Sequence, residues 1–461
     1  MTNIGQFFAK PWSAGTSYST GARQNQAYWR PLAETSFAID YALGHGRPWV
    51  FHLNSLLWHA GMVFLLALLF GRLGLSPPIV LAGALFFGLH PAHTEAVNVI
   101  CYRTTIMAGL FGFWAVYVHL RPGEYGISRG IVAAVLLLTA LLAKETAGAF
   151  VLIIPAIDLT LHRLSKRVLL RGYLPGLTAV AIYVAAHLTV TGPGLYNFFA
   201  GMGLTTRALT GFNIFYRYIH LILFPWPLTP FYDWWIIGIP RSIADPEVLA
   251  GTILLLLYTA AIIFAAKRDK KILIGLLVFI LGLFPVSHIV PFFDAMAERF
   301  LYIPMAGAAL ALVVTMNKIG IRLNIKRLII GLAALIFIVF GGLTALRSTQ
   351  WQSSETILVK EVQNFPESLG ARIGLTELYV RTKRYKKAIA TIKPVTIQAP
   401  GMQIGWAWLI AATGLKGDDI TARRIIHQAP RAGSGEQTAV MLARSILFSL
   451  HRSDVARKLG I

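Results

Sequence analysis

Two imidazoles and a carboxylate lie close together in one short stretch of the chain. His90, His93 and Glu95 fall within six residues, directly after an apolar run that ends at Leu89. Ionisable side chains at a membrane boundary are costly to bury, so they usually face a cavity or a site. Imidazole and carboxylate groups can move protons, hold a divalent metal or anchor a phosphate. The alternative is structural, with the histidine pair closing a helix end and packing an outer loop.

The spacing of these residues is poor for a metal centre. Steps of three and five residues do not bring three side chains to one helical face, and Pro91 interrupts any helix there. The single cysteine, Cys101, excludes a disulfide framework within the chain and a cysteine zinc cluster. We therefore assign no cofactor from the sequence and keep a divalent metal at the histidine stretch as an open alternative.

Fixed cations form a second set of candidates. Arg103 opens an apolar run, Arg299 follows Glu298, and Lys144-Glu145 separates two apolar runs. Arginine offers a planar fork and lysine a compact point charge, and both suit the phosphate of a lipid-linked substrate. Each cation taken alone also has a structural explanation, either snorkelling or a local ion pair. Gathered on one side of a membrane, they favour a binding site.

The elements that must position these residues are membrane helices. The chain has 461 residues, of which 56% are hydrophobic and 13% charged, and its mean hydropathy is +0.62. A typical soluble chain is about one quarter charged, so an ordinary soluble domain is excluded. Apolar runs recur through residues 50–346 and predict a multi-spanning helical body. Residues 1–49 are expected to be an outer-face loop region, and the more polar residues 347–461 a separate helical domain.

Charge placement predicts the topology. The chain carries 42 Lys and Arg against 20 Asp and Glu, a net charge of +22. Such an excess can indicate a nucleic-acid partner, but the positive-inside rule explains it better in a membrane protein, so we predict none. Three connections, 162–171, 267–271 and 317–327, carry four basic residues each and should be cytoplasmic. Ten spans are predicted, at 50–72, 78–92, 103–120, 129–143, 145–162, 172–190, 248–266, 272–290, 299–316 and 327–346.

This assignment of sides requires that the moderately apolar helix at 207–224 does not cross the membrane. The outer side then receives residues 1–49, the histidine stretch, Lys144-Glu145, residues 191–247 and Asp294 to Arg299. The tail is on that side as well. We expect a multi-pass protein of the inner (cytoplasmic) membrane with its tail in the periplasm or otherwise outside the cytoplasm.

The polar tail contains a repeat. Pro366 and Pro400 are 34 residues apart, and Leu375, Tyr379 and Ala388 fall where a TPR unit needs its leucine, tyrosine and small alanine. Later units are degenerate, and at least three are usually needed to bury a continuous face. We therefore expect the tail to lean on the membrane body.

The order of the motifs resembles that of a known family. His-Pro-Ala-His-Thr-Glu-Ala-Val at 90–97 resembles the hallmark of the transmembrane-and-TPR O-mannosyltransferases. Leu142 to Glu145 is similar to the family's Lys-Glu motif, and Glu298 to Pro304 is similar to its acidic-Arg-aromatic-Leu-Tyr motif. Further matches, in chain order, are Arg30-Pro31-Leu32, Asp40-Tyr41, His52, Asn54, His59, Phe231-Tyr232-Asp233 and Trp351.

The resemblance implies a GT-C-type glycosyltransferase with an all-α polytopic membrane body and a TPR-like helical tail. The implied reaction transfers a sugar, expected to be mannose, from a polyprenyl-phosphate carrier to a hydroxyl on protein at the outer face. The tail would present the acceptor protein, and membrane lipids would surround the body. Glu95 and Glu298 are the candidate catalytic carboxylates. The candidate ligands of the donor phosphate are Arg103, Lys144 and Arg299, and the supporting residues are Arg30, Asp40, His90, His93, Glu145, Asp294 and Tyr302.

Two departures from the family pattern set the remaining expectations. The family's Gly-Arg-x-Asp is Tyr102-Arg103-Thr104-Thr105 here, so the acid is missing. The first membrane helix of the family and the acidic pair after it have no counterpart, so we expect a bacterial member shortened at its N terminus. The alternative is a non-catalytic membrane scaffold that recruits partners through its tail. A transporter is disfavoured because the halves of the body show no internal repeat.

Overall fold

The computed structural model describes residues 4–12, 28–192, 201–289, 294–430 and 438–461. Within these ranges every regular element is a helix and no strand is present. The predicted all-α class is confirmed. Contacts divide the chain into two units, one that combines Met1–Pro230 with Ile239–Ser348 and one that combines Phe231–Gly238 with Thr349–Ile461.

The first unit is built from helices that start where local sequence favours a start. Its helices and the intervening α12 are α1 (Ile4–Ala9), α2 (Pro31–Gly44), α3 (Pro48–Arg72), α4 (Pro77–Gly88), α5 (Thr94–Asn98), α6 (Arg103–His119), α7 (Ile127–Ala143), α8 (Phe150–Leu161), α9 (Lys166–Val168), α10 (Leu174–Thr191), α11 (Leu204–Leu223), α12 (Trp234–Ile237), α13 (Pro246–Arg268), α14 (Lys270–Leu283), α15 (Tyr302–Arg322) and α16 (Lys326–Gln350). Proline stands in the first turn of α2, α3, α4 and α13. Its fixed φ suits a helix start, and its missing N–H would have no partner there.

Among the described residues, five helical stretches are long and apolar enough to cross a membrane. They are Pro48–Arg72, Lys166–Thr191, Pro246–Arg268, Glu298–Arg322 and Lys326–Gln350, and a sixth is counted if Pro91–Asn98 and Ile100–His119, which meet at 104°, form one broken span. The chain is therefore a multi-pass integral membrane protein. Several of the ten predicted spans are shorter helices, such as α4 with 12 residues and α7 with 17. The apolar runs are shortened because proline and polar turns interrupt them.

The stretch that contains α15 is the most buried of the five long apolar stretches. Two thirds (67%) of its most apolar window is buried, against 6% for α16. A Cβ on Gly307 of α15 would lie 2.4 Å from the carbonyl oxygen of Gly275 on α14. The two backbones can approach this closely because both residues are glycine, as in small-residue contacts between membrane helices.

The second unit contains the predicted repeat region. Its helices are α12 with α17 (Ser354–Asn364), α18 (Leu369–Arg381), α19 (Tyr385–Gln398), α20 (Gln403–Leu415), α21 (Asp419–Gln428), α22 (Thr438–Ser449) and α23 (Ser453–Leu459). Leu375, Tyr379 and Ala388 are all buried in its core. Segment Phe231–Gly238 joins this unit, although the sequence placed it in the membrane body. Its Asp233 Oδ2 accepts a hydrogen bond from the Gly370 N–H at 3.1 Å. The TPR character of the tail stays a prediction.

Candidate active site

Arg299 occupies a 3-10 turn, Glu298–Leu301, just before α15. One guanidinium nitrogen donates to Glu95 Oε1 at 2.5 Å, and the backbone N–H of Arg299 donates to Glu95 Oε2 at 2.7 Å. The other terminal nitrogen donates to Asp294. Glu95 is almost fully buried, whereas the Asp294 side chain is 38% exposed. Arg299 therefore bridges one buried and one accessible carboxylate.

Aromatic rings hold the Arg299 guanidinium in place. Its carbon lies 4.1 Å from the ring centroid of Tyr102 and 5.0 Å from that of Phe300. A cation over the face of a ring is attracted by the quadrupole of the ring, most strongly where water is excluded. Tyr102 was not among the predicted site residues, because an aromatic residue before an arginine carries no particular signal in a sequence.

Lys144 is a buried cation between the end of α7 and the turn Glu145–Ala149. Its Nζ donates to Thr105 Oγ1 at 2.7 Å, so its hydrogen-bond partner is a neutral hydroxyl. Burial, reinforced by the charges of Arg30 and Arg299, lowers the pKa of Lys144 to about 7. A cation in this condition gains from a nearby anion, because an opposite charge offsets the cost of its desolvation.

Arg30 lies immediately before α2 and makes a two-point ion pair. Its Nε donates to Glu145 Oε2 at 3.1 Å and its terminal nitrogen to Oε1 at 2.7 Å. The guanidinium carbon lies 4.4 Å from the ring centroid of Tyr28. The contact spans 115 residues and joins the start of α2 to the turn after α7. Arg30 and Glu145 were predicted as supporting residues, but nothing in the sequence indicated that they pair.

Six of the predicted residues thus come together in one polar region, which we call the cation cluster. Lys144 links its two ends, because it precedes Glu145, the partner of Arg30, and its Nζ lies 5.5 Å from the centroid of the Phe300 ring that Arg299 also contacts. Both oxygens of Glu145 accept hydrogen bonds from Arg30, and both oxygens of Glu95 accept from Arg299. Asp294 is the most exposed of the three carboxylates. The cluster consists of Arg30, Lys144, Arg299, Glu95, Glu145 and Asp294.

Arg103 has a different setting from the other predicted phosphate ligands. It is fully buried and lies 2.6 Å from Asp40. Each guanidinium nitrogen donates to a protein oxygen, on the side chains of Ser55 and Ser36 and on the carbonyl of Phe51. These contacts tie α6 to α2 and α3 and explain the burial without a ligand. We therefore leave Arg103 and Asp40 out of the proposed phosphate site.

Glu298 also lies apart from the cation cluster, although it adjoins Arg299 in the chain. Its side chain is fully buried, and its Oε1 lies 4.0 Å from a guanidinium nitrogen of Arg347 on α16. This contact joins the turn before α15 to α16. This position makes Glu298 a poor candidate for the base predicted from the sequence.

The histidine stretch combines a helix-end contact with an unpaired ring. His90 Nε2 donates to the Ile222 carbonyl at 3.1 Å in the tautomer that leaves Nδ1 to accept from the Ala92 N–H at 3.3 Å. His93 is 2% exposed and packs against Phe87 and Tyr302 with ring centroids 4.5 and 4.7 Å away. Both of its ring nitrogens lack a hydrogen-bond partner among the described residues. Among the described residues, no group of three or more metal-binding side chains lies close enough together to hold an ion.

The chain is similar to curated protein O-mannosyltransferases. It is 26% identical over 409 residues to Protein O-mannosyl-transferase TMTC4 of Homo sapiens, and the match covers 75% of this chain and 54% of that protein. It is 24% identical over 470 residues to TMTC3 of Mus musculus, covering 92% and 48% of the two chains. A shorter match to Tmtc2 of Drosophila melanogaster is 37% identical over 138 residues, 28% of this chain and 15% of that protein.

These matches agree with the resemblance drawn from the motifs. The chain spans about half the length of the curated relatives that it matches over most of its own length. No family model matches the chain, and no solved structure matches it significantly.

Proposed function

We propose that the protein transfers mannose from a polyprenyl-phosphate carrier to a hydroxyl group of a protein, at the outer face of the membrane. The observation that carries the proposal is the cation cluster, in which the buried cations Lys144 and Arg299 both lie over the Phe300 ring, 5.5 and 5.0 Å from its centroid, and the buried Arg30 pairs with Glu145, the residue after Lys144. The names of the relatives support mannose as the sugar and protein as the acceptor.

The orientation rests on the two ends of one helical stretch. Glu298–Arg322 has 25 residues, enough to cross a bilayer. The cation cluster lies at its start, and the basic connection 317–327 lies at its end. Basic connections prefer the cytoplasmic side, so the cluster belongs on the outer side.

The chemistry is an inverting displacement at the anomeric carbon of the sugar. The acceptor oxygen forms a bond to that carbon, and the bond from the carbon to the phosphate oxygen breaks. The polyprenyl phosphate leaves with the electron pair, and Lys144 and Arg299 stabilise its growing negative charge. A carboxylate takes the proton of the acceptor hydroxyl.

Asp294 is the carboxylate that we propose for this proton transfer. It is the most exposed acid of the cation cluster, and one oxygen contacts Arg299. Both oxygens of Glu95 are bound to Arg299, and its side chain is 1% exposed. Glu95 therefore fits the role of orienting Arg299 better than that of a base.

The test is a transfer assay with the full chain in proteoliposomes. Labelled polyprenyl-phosphate-mannose and a serine- and threonine-containing peptide are supplied, and label on the peptide that alkaline elimination releases marks O-linked transfer. Arg299→Lys should lower turnover about a hundredfold, because lysine cannot bridge two carboxylates as a planar fork does.

The matched control is Arg217→Lys. Arg217, on α11, forms an ion pair with Glu247 of α13 at 2.7 Å and lies outside the cation cluster. We expect this variant to keep wild-type turnover. A wild-type chain that binds the donor lipid yet transfers no sugar would contradict the proposal and favour the scaffold.

A further inference from the structure

An aromatic group lies next to the cation cluster. Trp29 and Tyr183 are 4% and 7% exposed, and their ring centroids lie 5.9 Å apart with the planes inclined by 27°. His187, one helical turn further along α10, lies 5.6 Å from the Tyr183 ring and 6.4 Å from the Trp29 ring. We call these three residues the aromatic trio.

Each member of the aromatic trio carries a buried polar atom that has no hydrogen-bond partner among the residues the structure describes. The atoms are Trp29 Nε1, Tyr183 Oη and His187 Nδ1. Burying an unpaired polar group is costly, and such a group in a folded protein usually marks a site of bound water or ligand. Three of them on contacting rings point to one polar occupant that serves all three.

The position of the trio relates it to the cation cluster. Trp29 directly precedes Arg30, whose guanidinium binds Glu145. The rings of Tyr183 and His187 both contact the Trp29 ring, so the trio adjoins the residue that begins the cation cluster. His187 is the partly exposed member, so the trio is not sealed on every side.

We infer that the aromatic trio receives the hexose ring of the donor, an inference that rests on the proposed function. A hexose stacks its C–H face on an aromatic ring and presents hydroxyl groups that both donate and accept hydrogen bonds. Trp29 Nε1 can only donate, Tyr183 Oη can do either, and His187 Nδ1 does one or the other according to its tautomer. Hydroxyl groups satisfy all three, whereas the donor phosphate is better served by the neighbouring cations.

The experiment compares two lipids on the full chain in nanodiscs. Polyprenyl-phosphate-mannose carries the sugar, and polyprenyl phosphate lacks it. Tyr183→Phe keeps the ring and removes only the hydroxyl group. We expect about tenfold weaker binding of the sugar-bearing lipid and unchanged binding of polyprenyl phosphate. His187→Gln at the partly exposed position should act in the same direction, which covers a folding failure of the first variant.

The matched control is Tyr258→Phe. Tyr258 Oη donates to the Leu276 carbonyl at 2.6 Å, so this hydroxyl has a partner away from the trio. Its loss should lower the unfolding temperature and leave both lipid affinities unchanged. Tyr183→Phe should keep or raise the unfolding temperature, because it removes an unpaired buried hydroxyl group.

Four results would overturn the inference. Unchanged binding of the sugar-bearing lipid in both trio variants would make the trio a packing contact. Equal losses for both lipids would show that the trio does not recognise the sugar. If a mannosylated peptide, tested as a third ligand, is the only ligand that binds more weakly to the trio variants, the trio holds a hexose of the acceptor and not of the donor. Failure of the wild-type chain to bind either lipid would remove the proposed function as well, whereas the first three results leave it standing.

Discussion

Two buried polar clusters of the first unit differ in whether each charged side chain has an oppositely charged partner. The first is the cation cluster, near the Arg103 end of α6. The second, which we call the tyrosine-histidine network, lies at the His119 end of the same helix and consists of His119, Tyr125, Asp158 and Tyr173. In the network, fixed protein groups supply the partners. In the cation cluster, Lys144 has a neutral hydrogen-bond partner and no ion pair among the described residues, and in the aromatic trio beside it three polar atoms have no hydrogen-bond partner among those residues.

The tyrosine-histidine network shows what a structural polar cluster looks like in this protein. Tyr125 Oη donates to His119 Nδ1 at 2.7 Å, and His119 Nε2 donates to Asp158 Oδ2 at 2.6 Å in the tautomer that this pairing requires. Tyr173 Oη donates to the same oxygen at 2.8 Å, and Arg163 lies 3.7 Å from the other. These contacts join the ends of α6 and α8 to the π-helical turn Leu169–Tyr173.

Lys144 presents the contrasting case. Its hydrogen-bond partner is the neutral Thr105 hydroxyl, and no carboxylate lies within ion-pair distance of it among the described residues. A buried charge without a counter-ion is expensive, and such groups are found mainly where function requires them. In the network the buried Asp158 carboxylate is matched by protein donors and a cation, which fits a framework, whereas a buried cation whose partners are a neutral hydroxyl and the Phe300 ring fits a site for an anionic ligand.

The largest expected effect comes from breaking the tyrosine-histidine network. Asp158→Ala should lower the free energy of unfolding by about 3–5 kcal/mol, because it leaves buried hydrogen-bond donors without an acceptor. Sugar transfer per folded molecule should remain near the wild-type value. Thermal unfolding and transfer assays on the same preparation measure the two quantities. Lost transfer at full stability would contradict the structural interpretation.

Lys144→Met should have the opposite pattern. Transfer should fall by about 10²–10³-fold, the range for loss of one preorganised electrostatic contact in a transition state. Stability should be unchanged or increased, since a buried unpaired charge is removed. The control is Lys318→Met, which removes a lysine paired with Asp269 near the basic connection. If the Lys144→Met and Lys318→Met variants both transfer sugar at the wild-type rate, Lys144 has no role in the reaction.

A smaller effect should appear in the pH dependence of donor binding. Lys144 is charged below its pKa of about 7 and loses its proton above it. Affinity for polyprenyl-phosphate-mannose, whose phosphodiester charge does not change in this range, should fall by up to about tenfold for each pH unit above 7. Lys144→Met should abolish the slope. A wild-type affinity that is constant from pH 6 to 9 would contradict this prediction.

The lowered pKa of Lys144 also predicts how the free energy of unfolding changes with pH. The pKa of Lys144 is lowered in the folded chain from its ordinary value of 10.5 to about 7, so between these pH values the unfolded state binds more protons. The free energy of unfolding should therefore rise with pH across this window in the wild-type chain, relative to Lys144→Met. Chemical unfolding at pH 7 and pH 9 would measure it, and a wild-type curve parallel to that of the variant would refute it.

Charged residues within apolar runs were easier to identify in the sequence than their partners in the structure. Recurring apolar runs were enough to predict an all-α membrane protein. Lys144, Arg299 and Glu95 were recognisable because charges are rare in such runs. The pairing of Arg30 with Glu145 and of Arg103 with Asp40 was not, since tertiary packing alone brings them together. The predicted bacterial origin and N-terminal shortening stay predictions.

The span count shows a different limit. Hydropathy locates apolar runs but not the angles between them: a span was predicted at 103–120, which corresponds to the helical stretch Ile100–His119. In the structure it meets Pro91–Asn98 at 104°. The trio of Trp29, Tyr183 and His187 was missed for a related reason. Aromatic residues are common at membrane interfaces, and only the absence of hydrogen-bond partners distinguishes these three.

The most direct test of the central claim is whether the wild-type chain distinguishes a lipid phosphate from the same lipid without it. Binding of polyprenyl phosphate and of polyprenol to the full chain in nanodiscs should be compared at pH 6, where Lys144 is charged. We predict that polyprenyl phosphate binds at least about tenfold more tightly, since its phosphate can pair directly with Lys144, whose hydrogen-bond partner in the structure is a neutral hydroxyl. Equal affinity for the two lipids would contradict a phosphate site at the cation cluster.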